Sequence, residues 1–113
     1  MLANESERRV YPRLRAPKGT IVAWQCSTKR LISAVDNVGL GGLFIRTPDP
    51  PAPGTFLQLL LDAPTGEVRA QAAVQRSRPH EGMGVKFVAM GQEDRARFAG
   101  WLRALSFHAR QVV

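Results

Sequence analysis

From Thr20 to Met90 the apolar residues come in short bursts separated by glycine and proline, and after Gln92 they change to a helical spacing. TIVAWQ, residues 20 to 25, is β-branched and aromatic and predicts a first strand, with Cys26 to Thr28 as its turn. KRLISAVDNV resumes as a strand that ends in the glycine-rich VGLGG, and LFIRT follows as another short apolar segment. TPDPPAPG, residues 47 to 54, reads as a loop from its prolines. TFLQLLLD is a strand nearly apolar on both faces, and the turn signal PTG leads into EVRAQAAVQRSR. There Val68, Ala70, Ala72 and Val74 alternate with Arg69, Gln71, Ala73 and Gln75, the two-residue period of a half-buried strand. RPHEG turns the chain again, and Met83, Val85 and Phe87 form one face of a last strand with Lys86 directed the other way. Phe98, Trp101, Leu102 and Leu105 then follow the i, i+3, i+4, i+7 stripe of an amphipathic helix. Glu93 and Asp94 in its first turn and Arg103 near its end suit the helix dipole.

About six short strands followed by one helix predict a mainly β fold, a small antiparallel barrel or curled sheet with the helix packed on it. At 113 residues the chain has the size of one domain, and 44% apolar content can fill one modest core. The expected limits are a flexible N-terminal arm over 1–18, a β-barrel over 19–90, a helix over 91–107 and a tail over 108–113. Pro12 and Pro17 stand in the arm where a helix would otherwise run, and Pro12 pushes Tyr11 toward extended geometry.

Charge narrows the partners. Sixteen Lys and Arg against nine Asp and Glu leave +7, which attracts anions such as nucleotides, nucleic acid or acidic lipid without choosing among them. The single Cys26 makes no internal disulfide, no apolar run approaches the ~18 residues of a membrane span, and the N-terminus lacks the apolar stretch of a signal peptide. A reducing, cytoplasmic setting is the default expectation.

Two stretches carry candidate chemistry. ERRVYPRLR, residues 7 to 15, holds four arginines, each a planar fork of donors that can grip a phosphate, pair with the O6/N7 edge of guanine or stack on a base. In an extended or turned segment Arg9 and Arg13 reach different parts of one multiply charged ligand; a solvated basic tail is the alternative. VDNVGLGGLFI, residues 35 to 45, has Gly39, Gly41 and Gly42 to let the backbone bend and approach a ligand, and Asn37 as donor and acceptor. A tight turn or bulge between strands is the alternative there. No Lys-Ser/Thr pair closes it as a phosphate loop, and it opens no helix as a dinucleotide fold would.

Taken together, the two stretches resemble the PilZ domain family: an RxxxR motif at Arg9 and Arg13, then about two dozen residues later a (D/N)xSxxG motif over Asn37-Val38-Gly39-Leu40-Gly41-Gly42. ERR before a hydrophobic residue, GGLFI, GMGVKF and GQEDRARF at the helix start agree with family text, and the resemblance spans about residues 5 to 106. It implies a six-stranded antiparallel β-barrel of split-barrel type with a C-terminal α-helix, acting without catalysis as a bacterial receptor for cyclic dimeric GMP. By resemblance, Arg9 and Arg13 bind phosphates and guanine edges, Asn37 bonds a guanine edge and Gly42 supplies the turn. Arg8, just before the motif, is the residue that favours an intercalated ligand dimer in similar domains. The family serine is Gly39 here, which removes a hydrogen bond worth about 0.5 to 1.5 kcal/mol. Asp36 stands one place before the motif Asn and could substitute only after a one-residue shift, which in a regular strand points to the other face.

Trp24 is an accessory candidate as a stacking platform, with a core position as the alternative. Arg76, Arg78 and Lys86 either add potential around the ligand or form a plain solvated face. Cys26 reads as inert, and His80 and His108, without companion ligands at metal spacing, do not make a metal site. No nucleophile and base arrangement suggests an enzyme, and no cofactor is implied. The resulting expectation is a cyclic di-GMP receptor whose arm orders around the ligand and changes the surface offered to an effector protein. The rival is a degenerate adaptor that acts by protein contact alone. Single-stranded nucleic acid binding fits poorly, because two Trp, one Tyr and five Phe leave few aromatics to stack on bases once the core is filled.

Overall fold

The computed structural model describes residues 13–27 and 29–112, with side chains through Phe107. Seven strands precede one helix: β1 (Leu14–Arg15), β2 (Ile21–Gln25), β3 (Arg30–Gly39), β4 (Gly42–Arg46), β5 (Phe56–Ala63), β6 (Gly66–Arg78) and β7 (Gly82–Met90), then α1 (Gln92–Val112). Every pairing is antiparallel, and the order β3-β2-β5-β6-β7-β4 closes when β4 returns to β3. Six strands thus make the closed barrel that the burst pattern predicts, and closure leaves few free edges.

The seventh strand, β1, comes from the segment expected to be arm. Asn37 and Val38 pair with Arg15 and Leu14 on one edge and with Phe44 and Leu43 on the other, so β1 lies end to end with β2 along β3. The corner between them is held by Thr20, whose amide and hydroxyl both donate to Pro17 O, with Gly19 at φ +91° supplying the left-handed residue.

Alternation fixes the core. Val68, Ala70, Ala72 and Val74 all point inward, as do Met83 and Val85. Strand β5, apolar on nearly every position, obeys the same period: Leu57, Leu59 and Leu61 are buried whereas Phe56 is exposed. Trp24 is buried on β2, and its Nε1 donates to Ser33 Oγ at 3.0 Å. Phe98, Trp101 and Leu102 of α1 complete the core, and Phe98 meets Phe87 edge to face with ring centroids 5.2 Å apart. The helix runs to Val112, five residues past the end expected at 107, so the expected tail is helical as far as it is described. The apolar stripe ends near Leu105, but SFHARQV contains no glycine or proline to stop the helix.

A polar clamp seats the start of α1. Asp94 Oδ1 accepts from the Arg69 amide at 2.9 Å and from Arg97 Nη2 at 3.1 Å. Arg97 Nε donates to Glu67 O at 2.8 Å, and Thr65 Oγ1 donates to Arg97 O. The Arg69 amide bond, reinforced by Arg97, holds the Asp94 carboxyl below the usual carboxylate range against a smaller opposing effect of burial. A depressed carboxylate adds stability above its unfolded value of 3.8, and that stability disappears as pH falls through the lower folded value. Asp94→Asn should therefore cost about 1 kcal/mol at neutral pH by urea unfolding, and the gap to the native chain should narrow progressively as pH falls below the unfolded value of 3.8. A gap that persists unchanged in acid would show that the clamp does not depend on the carboxylate charge.

Candidate functional site

The geometry begins at β1. Its register, Leu14 opposite Val38 and Arg15 opposite Asn37, sets Arg13 alongside Gly39 at the end of β3. From there Arg13 Nη1 donates a 2.6 Å hydrogen bond to Asn37 Oδ1. Two segments 24 residues apart in sequence, each ambiguous alone, thus share one charge-assisted contact on the barrel's outer wall. Arg8 and Arg9 lie outside the described residues.

Next to this contact the β3–β4 ladder shifts register between Val35 and Asn37, a β-bulge at Asp36. Val35 and Val38 are buried, while Asp36 and Asn37, two consecutive residues, both lie on the outer side. The bulge thus removes the geometric objection to Asp36 that a regular strand raises. Its carboxylate lies 3.6 Å from Arg46 Nη1, and its carbonyl accepts from the Ala16 amide at 3.0 Å.

Leu40 and Gly41 form the turn that follows, and Phe87 N donates to Gly41 O. Gly42 is not in that turn. It opens β4 against β7, where a Cβ would stand 1.9 Å from Val85 O, so the position needs a glycine for close approach of two strands. Gly39 is buried and pairs with Gly42; on the two-residue period a side chain there would share the outer face with Asn37.

Following the ladders sideways from Asn37 gives a lane across the wall: Arg15, Asn37, Phe44, Gly84 and Arg76. Phe44 is half-buried and forms a flat floor beside Asn37. Arg76 lays its stem across Gly84, where an added Cβ would come within 3.3 Å of Arg76 Cγ. Arg46 and Arg78 pair with Gly82 from either side, and Lys86 pairs with Gly42, so the lane is bordered by positive charge. Phe44 and Gly84 are not among the residues that the sequence motifs single out. They lie inside GGLFI and GMGVKF, but only the strand register shows that both flank the lane.

Trp24 does not join the lane. It pairs with Leu31, six residues before Asn37 and about 20 Å away along β3, and its ring is enclosed by the core. Among the described residues no cluster of His, Cys, Asp or Glu is placed to hold a metal ion. No described helix is long and apolar enough to cross a membrane.

The wall therefore offers guanidinium groups, an amide and an aromatic floor, a set suited to an anion that also carries flat rings. Comparison with known proteins bears on the fold. The chain is similar in fold to MrkH of K. pneumonia in its complex with c-di-GMP, with TM-score 0.74 and 18% identity over 94% of this chain and 55% of that one. It is similar to the Bacillus subtilis inhibitor of motility MotI/DgrA, with TM-score 0.70 and 22% identity over 93% of this chain and 52% of that one. It also resembles the PilZ domain of Escherichia coli YcgR with c-di-GMP, with TM-score 0.71 and 17% identity over 92% of this chain and 95% of that one. The chain spans about half the length of the MrkH and MotI chains. No curated protein sequence matches it. The sequence profile of the PilZ domain matches residues 7–104, and the chain belongs to the PilZ domain family.

Proposed function

We propose that the protein is a receptor for cyclic di-GMP that uses the Arg13–Asn37 wall as its site. The observation that carries this reading is the 2.6 Å bond from Arg13 to Asn37, which joins both halves of the family motif in one place. The ligand carries two phosphates and two guanines, and the lane carries arginines for the first and Asn37 with Phe44 for the second. Arg9 and Arg13 take the phosphates and guanine edges, and Arg8 stacks on a base when the ligand enters as an intercalated dimer. Asp36, on the outer side at the bulge, and Arg76, lying toward Phe44, are accessory contacts. MrkH and the YcgR PilZ domain, named above with c-di-GMP, are the similar folds that favour this ligand.

Binding asks Arg13 and Asn37 to exchange part of their mutual bond for bonds to the ligand. Because Asn37 is neutral, that tie is a charged-to-neutral hydrogen bond, worth about 1.5 to 3 kcal/mol. Residues before Arg13 then close over the ligand. Since β1 continues directly from them, the closure alters the surface that an effector protein meets. The role is that of a binding module without catalysis.

Calorimetric titration of cyclic di-GMP tests the reading. Micromolar or tighter affinity is expected, with Arg9→Ala and Arg13→Ala each weakening it by about tenfold to a hundredfold, the scale of a charged hydrogen bond. Absence of binding at millimolar ligand would contradict it and leave an adaptor that works by protein contact alone, the reading that Gly39 in place of serine favours. A stoichiometry near two ligands per chain that returns to one in Arg8→Ala would assign the base-stacking role to Arg8.

Gly39→Ser is expected to tighten binding by up to about tenfold, because the new hydroxyl shares the face of Asn37. Unchanged or weaker binding in a folded Gly39→Ser chain would show that the site is built around the bare backbone at 39.

A further inference from the structure

The opposite wall of the barrel has a different character. Ring order sets β2 and β5 across from β4 and β7, and the outward side chains of β3, β2, β5 and β6 fall into cross-strand rows. Gln25, Gln58 and Gln71 form one row headed by Arg30, whose Nε donates to Gln25 Oε1 at 3.2 Å. Ile32, Ala23 and Leu60 form the next, which ends at Arg69. The rows lie about 7 Å apart, the span of two strand residues. Ala23, Leu60 and the three glutamines line a groove of about 680 Å³, bounded on its far side by Met90, Gly91 and Asp94 at the start of α1. On β3, at the end of the apolar row, stands Ile32, 71% exposed, the most exposed large apolar side chain among the described residues.

Three features name the occupant. An apolar side chain left in water beside a partly apolar groove is a small unsatisfied interface, with a polar rim of the usual kind. A protrusion next to a hollow is also self-complementary under a two-fold axis, because each copy's protrusion can enter the other's hollow. The third is charge. At +7, two copies repel across the lane, where Arg15, Arg46, Arg76 and Lys86 outnumber Asp36, whereas on the groove wall Asp62, Glu67 and Asp94 balance Arg30, Arg69 and Arg97.

We infer that the groove wall is the interface of a two-fold homodimer in which Ile32 of each copy lies on the Ala23–Leu60 floor of the other. About a dozen outward residues form this face, fewer than the ~20 to 30 per side of a standard interface, so the dimer is weak, with Kd on the order of 10 µM. The arrangement leaves both lanes free on the outside of the dimer. It is independent of which ligand they bind, and it would give a partner two copies of the ligand-ordered surface to grip at once.

Sedimentation velocity of the full chain without ligand, from about 1 to about 300 µM, reads this directly against the expected Kd. The native chain should pass from monomer to dimer across that range. Ile32→Asp, a change at an exposed site that leaves the core intact, should stay monomeric at the top concentration with an unchanged circular dichroism spectrum. Phe107→Asp alters an equally bare side chain on α1, 63% exposed, and should dimerise like the native chain. A chain monomeric throughout, a dimer that Ile32→Asp leaves intact, or a dimer that Phe107→Asp dissolves would each overturn the assignment. Cyclic di-GMP affinity per chain should be the same in Ile32→Asp as in the native chain, which separates failure of the dimer from failure of the ligand reading.

Discussion

At Asn37 and Val38 strand β3 has a neighbour on each edge, β1 on one and β4 on the other, and the remaining architecture follows from that double pairing. The β4 edge closes the six-stranded ring. The β1 edge captures the chain just after the arginine motif and fixes where Arg13 stands. Because β1 is only two residues long, it has no stability of its own and exists only as an extension of a sheet already formed. The same local pairing thus serves fold and site together. It explains why the last arginine of the motif is held at Asn37.

The bulge at Asp36 adds a second consequence. A regular strand would offer the lane one of Asp36 and Asn37; the register shift puts both on the outer side, one tied to Arg46 and the other to Arg13. A basic wall is thereby given two acceptor groups beside its guanidinium groups. Arginine chains lose about 2 kcal/mol of rotamer entropy when fixed, so under the proposed function the Asn37 bond would lower the cost of fixing Arg13 around a ligand.

Much of this was legible in the sequence, and the limits have physical causes. Alternation at Val68 to Val74 gave the face of β6, and the stripe from Phe98 to Leu105 gave the helix face, because burial periodicity follows directly from backbone geometry. The apolar run of β5 was ambiguous, since leucines on both sides leave register to the neighbouring strands. The helix end at Val112 was missed because the apolar stripe of the sequence stops near Leu105 but helix propensity does not. Of the candidate site, Arg13 and Asn37 were visible as motif residues. Their contact, the bulge, and the places of Phe44, Gly84 and Arg76 in one lane depend on long-range register that no local pattern encodes. Gly42, expected to supply the turn, instead opens β4 where Val85 O approaches closely.

Under the proposed function, Arg13 and Asn37 act on the ligand as one unit. A double-mutant cycle by calorimetry, with Arg13→Ala, Asn37→Ala and the double variant titrated with cyclic di-GMP, measures that directly. The account predicts losses that fall short of additive by about 1 kcal/mol or more, since either change alone disrupts the shared contact. Fully additive losses would show two independent contributions, and an affinity indifferent to both residues would place the ligand elsewhere on the barrel.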